Sequence, residues 1–73
     1  MEERDQLMQA VKARAFAARC SLYEVATEAN VSGTVITRWV KYQRKDAGGC
    51  VPSLKTIGKF EKAMSRMEER NPQ

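Results

Sequence analysis

Apolar residues recur along this chain at spacings of three and four, with polar residues filling the gaps. Leu7, Val11, Ala15 and Ala18 form the first stripe, and Met8 and Phe16 widen it. That period predicts an α-helix over about 3–19 with one buried face. Glu2, Glu3 and Asp5 suit the positive end of its dipole. Leu22, Val25, Ala26 and Ala29 mark a shorter second helix. Ser21 and Glu24 open it with the S-x-x-E spacing of a capping box. Ala26 is small enough for the next helix to cross closely, and Asn30 suits a left-handed turn. Ser32 is the expected cap of a third helix, whose apolar positions are Val31, Val35, Ile36, Trp39 and Val40. Trp39 is the predicted core anchor, while Thr34, Thr37, Arg38 and Lys41 share the opposite face. Gly48, Gly49 and Pro52 break the pattern, predicting a loop over 43–52. Beyond it Ser53 caps a fourth helix over about 53–68. Leu54, Ile57, Phe60, Met64 and Met67 give its buried stripe, and Lys55, Lys59, Lys62 and Arg66 lie off it. Residues 69–73 read as a tail, frayed at Asn71-Pro72-Gln73. No segment alternates with period two, so the expected class is all-α: a compact bundle of four helices.

The 73 residues are expected to form one domain, 1–73, with a modest core and little room for an enclosed substrate cavity. Histidine is absent, which removes the commonest metal ligand and the usual general base near neutral pH. A glycine-rich phosphate loop and paired carboxylates in a cleft are also missing, so no enzyme is expected. Cys20 and Cys50 lie thirty residues apart, too few for zinc without histidine. No metal, cofactor or small-molecule ligand is therefore expected. The first ten residues are charged and no apolar run approaches membrane-spanning length, so neither a signal peptide nor a membrane partner is expected. The expected compartment is the reducing cytoplasm, with both thiols free.

Charge sharpens the picture. The formal net charge of +4 is uneven: +1 over residues 1–20, −2 over 21–37, +5 over 38–62 and zero over 63–73. Positive charge thus begins on the third helix, where it would attract a polyanion in a salt-dependent way.

The unit over 21–42 has the form of a helix-turn-helix that lays its second helix in the DNA major groove. Such a helix needs a slim polar first turn, side chains that reach base edges, and flanking groups that hold phosphates. Gly33 and Thr34 form a small first turn. Thr34 and Thr37 can bond bases or place a methyl against thymine. Arg38 is long enough for a bidentate contact to guanine and is the foremost candidate reader. Ser21, with the first N–H groups of the second helix, is a candidate phosphate contact, as are Lys41, Arg44, Lys45 and Lys55.

With these residues in view, the chain resembles the phage repressor and Cro family of helix-turn-helix proteins, over about Ser21 to Met64. The family motif has an alanine in its first helix, a turn residue four places later and aliphatic anchors in the second. Ala26, Asn30, Val31, Ile36 and Trp39 stand at those positions. The resemblance implies a lambda-repressor-like domain with base contacts from Gly33, Thr34, Thr37 and Arg38. It implies phosphate contacts from the start of helix two, from Ser32 and from the segment after helix three. The implied function is a repressor from a phage, plasmid or other mobile element, binding an inverted repeat of double-stranded DNA as a homodimer. Asn30 stands where the family usually has glycine. Leu22 stands where it often has a glutamine that contacts phosphate and braces the reading helix. The family's fifth helix is missing or merged into helix four, and the 43–52 loop is longer than usual. A protein-interaction module of the same fold, an antitoxin or adaptor, is the competing expectation.

Overall fold

A computed structural model describes residues 3–70. They form four helices: α1 (Glu3–Ala17), α2 (Leu22–Glu28), α3 (Gly33–Gln43) and α4 (Leu54–Arg70). No strand occurs among the described residues, and the all-α expectation holds. Glu2 and the terminal residues 71–73 lie outside them.

Three helices end in the same way. Arg19, Asn30 and Lys45 adopt left-handed backbones, with φ of 60°, 58° and 61°. Each is followed by an N–H that bonds back to the helix: Cys20 to the Ala15 carbonyl, Val31 to Ala26 and Asp46 to Lys41. This is the Schellman arrangement, built here without glycine. It stops α1 at Ala17, two residues short of the expected 19, because the chain must reverse to reach the Ser21 cap. It also leaves Gln43 inside α3, so the loop begins at Arg44. The long α4 runs two residues past the expected 68. Its start is capped as expected, the Ser53 hydroxyl accepting from the Thr56 N–H at 3.3 Å.

α4 packs on α1 and α2, and α3 packs on α2. Met8, Val11, Ala15 and Ala18 bring the first helical segment into the core, joined by Val25, Ala26, Ile36 and Trp39. α4 adds Ile57, Phe60, Ala63, Met64 and Met67. Two expected stripe members are corrected. Phe16 is 84% exposed, because it lies roughly 140° around the helix from Val11. Leu54 is 60% exposed, because it lies about 60° from Ile57 on the side away from Phe60 and Met64.

Polar links tie the helices together at their ends. The buried Trp39 ring donates its indole N–H to Asp5 Oδ1 at 2.9 Å, joining α3 to the first turn of α1. Arg14 grips Glu68 through two nitrogens, at 2.6 and 3.1 Å. Glu28, at the end of α2, accepts from both Arg66 and Arg70. Hydrogen bonds from Arg70 and then Arg66 hold the Glu28 carboxyl below its ordinary pKa. A hydrogen bond from Arg14 does the same for Glu68.

Candidate nucleic-acid interface

α3 is two-sided because its apolar residues cluster on one arc. Ile36 and Trp39 are fully buried, while Thr34, Thr37, Arg38 and Lys41 are exposed. Ser32 caps the helix, its hydroxyl accepting from the Thr34 N–H at 3.2 Å. Thr34 and Arg38 therefore stand one turn apart on the open face. The Arg38 side chain makes no hydrogen bond or ion pair among the described residues. The same holds for Lys41, Arg44, Lys45 and Lys55, all exposed.

Gly33 and Thr37 are placed differently from Thr34 and Arg38. Tyr23, on α2, lies across both. A Cβ added to Gly33 would meet its ring at 3.2 Å. The Tyr23 hydroxyl lies 3.0 Å from Thr37 Oγ1, which in turn donates to the Gly33 carbonyl at 3.4 Å. Either hydroxyl can donate in the Tyr23–Thr37 bond. The Thr37 hydroxyl is thus engaged within the protein. A polar brace between α2 and α3 exists, one residue later than the Leu22 position where the resemblance placed it. Leu22 itself is half-buried. Tyr23 was readable in the sequence only as an exposed aromatic; its pairing with Thr37, fourteen residues on, left no local signal.

The start of α2 has also been put to other use. The capping box is complete: Ser21 Oγ accepts from the Glu24 N–H at 3.1 Å, and Glu24 Oε1 accepts from the Ser21 N–H at 2.9 Å. Two groups expected to face a phosphate are therefore engaged with each other. A carboxylate now sits at that helix end, and like charge there opposes a phosphate.

At the other end of α3 the loop folds back on the helix. The Cys50 N–H donates to the Arg38 carbonyl at 3.1 Å. Gly49 lies so close that an added Cβ would fall 2.3 Å from Tyr42 N and 2.7 Å from Lys41 C. Only glycine fits there. This contact fixes the course of the loop that carries Arg44 and Lys45. The sequence marked Gly49 as a breaker and gave no hint of this packing.

No cluster of three or more metal-ligating side chains occurs among the described residues. No helix among them is long and apolar enough to cross a membrane. Cys20 and Cys50 are both free thiols. No protein-family profile matches this chain, and neither does any curated protein or solved structure.

Proposed function

We propose that this chain is a sequence-specific DNA-binding regulator of the helix-turn-helix class. In this reading α3 enters the major groove, and Thr34 and Arg38 read base edges. Gly33 allows the close approach of Tyr23, and Thr37 offers a methyl group. Lys41, Arg44, Lys45 and Lys55 hold phosphates, with Ser32 at the start of α3. The function is repression by a Cro-like protein of a mobile element, acting in the cytoplasm as a symmetric pair on an inverted repeat.

One observation carries this reading: Arg38 and Thr34 stand exposed on a helix whose opposite face is the Ile36–Trp39 core. A long cation with no internal partner, held on a rigid helix, is suited to bidentate recognition of guanine. Selection from a random duplex pool, followed by gel shifts in rising salt, tests it. The expected result is a symmetric site bound in preference to random competitor. Arg38→Ala should weaken that site by about 1–3 kcal/mol and relax one base position. Equal binding to every duplex at low salt would overturn it.

The exposed Phe16, in a groove with Leu22 and Val40, favours one second reading, a protein-interaction module. Its mark is a stoichiometric complex with a defined partner together with no duplex binding at low salt.

A further inference from the structure

If α3 lies in a groove, the flanking phosphates need cations on both sides of it. The start of α2 supplies a carboxylate, Glu24, rather than a cation. The basic side of α4 offers the alternative. Lys55, Lys59, Lys62, Arg66 and Arg70 follow one another at spacings of four, three, four and four, which places them on one arc of the helix.

The two ends of this arc have different work. Arg66 donates to the Glu28 carboxylate and also to the Glu28 backbone carbonyl, each at 3.0 Å. Arg70 donates to the other carboxylate oxygen. These bonds dock α4 on the end of α2 and balance the Glu28 charge. Glu68 is turned to Arg14, on the α1 side. Lys59 and Lys62 are exposed, with no hydrogen bond or ion pair among the described residues. Together with Arg66 they face Ala29 and Asn30 across a cleft of about 260 Å³. The far wall of that cleft is the turn that feeds directly into Ser32 and the first turn of α3. Two ammonium groups three residues apart on a helix are neighbours, close enough to serve one phosphate or two adjacent ones.

We infer that Lys59 and Lys62, facing the Ala29–Asn30 turn, grip backbone phosphates of duplex DNA at the C-terminal end of α2. The inference rests on the DNA-binding reading and adds a site to it. It moves the anchoring of the helix pair away from Ser21 and onto α4, through a part of the chain whose position Glu28 fixes. The contact carries no base information, because an ammonium group on a phosphate is indifferent to sequence.

The test uses the full chain with a selected duplex and a random duplex, titrated at several salt concentrations. The double variant Lys59→Gln/Lys62→Gln is compared with wild type and with Lys12→Gln/Arg19→Gln, an α1 control that removes equal charge from α1 and the turn after it. The variant Lys59→Arg/Lys62→Arg keeps the charge, and thermal melts report folding. The expected result is a fall of about two in the slope of log K against log salt for the glutamine pair. That fall should be equal on both duplexes, restored by the arginine pair and absent from the α1 control. An unchanged slope, or the same fall in the α1 control, overturns the inference while leaving the DNA-binding reading in place. Wild-type protein that binds no duplex overturns both.

Discussion

The two ends of α3 are held by different chemistry. At its N-terminal end one side chain does the holding: Tyr23 covers Gly33 and shares a hydrogen bond with Thr37. At its C-terminal end backbone meets backbone: Gly49 presses on Lys41 and Tyr42, and the Cys50 N–H bonds to the Arg38 carbonyl. A side-chain brace can be exchanged for another of different length or polarity, and the helix tilt changes with it. A backbone contact tolerates one residue and sets one position. The end carrying Thr34 is thus the adjustable one, while the end carrying Lys41 is fixed by the loop. Trp39 lies between them and serves both.

Removing Trp39 should abolish the difference altogether. Trp39→Ala loses a fully buried ring and leaves Asp5 without its donor, at a cost of roughly 3–5 kcal/mol. Urea denaturation should find little folded protein. A midpoint near wild type would refute the anchor role.

Gly49→Ala attacks the backbone-held end alone. The added methyl overlaps main-chain atoms, so loop or helix must shift, at about 1–3 kcal/mol. Thermal melting measures the loss, and hydrogen exchange at the Cys50 amide should accelerate. Wild-type exchange there would show that the loop is not seated on α3.

Lys45→Gly tests the same end in the opposite direction. Relief of the left-handed strain outweighs the added freedom of glycine in the unfolded chain. The variant should gain about 0.5–1 kcal/mol. No gain in denaturation midpoint would mean that the lysine stem compensates through packing.

The smallest effect belongs to the side-chain end. Tyr23→Phe keeps the ring over Gly33 and removes one exposed hydrogen bond, costing no more than about 1 kcal/mol of stability. If the DNA-binding proposal holds, its expected signature lies elsewhere, in a changed base preference at the positions facing Thr34 and Thr37. Identical selected sites for Tyr23→Phe and wild type would remove the brace from any account of specificity.

These contrasts also explain what could be read before the fold was known. Ser21, Glu24, Ser32 and Ser53 announced three helix starts correctly, because capping is settled within three residues. Trp39, Ile36 and Phe60 were legible as core because helical period and burial coincide there. Helix ends were harder. Arg19 and Lys45 take the left-handed position usually marked by glycine, so the sequence carried no stop signal at either. Phe16 misled because its size argued for burial while its angular position argued against it. In the candidate site, the exposure of Thr34 and Arg38 was readable from period alone. Tyr23 with Thr37, Glu28 with Arg66 and Gly49 with Tyr42 were not, since each joins residues that only the tertiary fold brings together.

The share of the core supplied by α4 has a consequence in time. Ile57, Phe60, Ala63, Met64 and Met67 all come after the other three helices in the chain, and the Arg14–Glu68 pair joins residues fifty-four apart. During synthesis α1 and α2 must keep the faces that α4 will cover exposed until α4 has been made. At about 5–20 residues per second, the interval from the end of α3 to the end of α4 lasts roughly 1–5 s. For that interval the nascent chain offers Met8 and Val25 to whatever else is nearby, and completion of α4 closes the window.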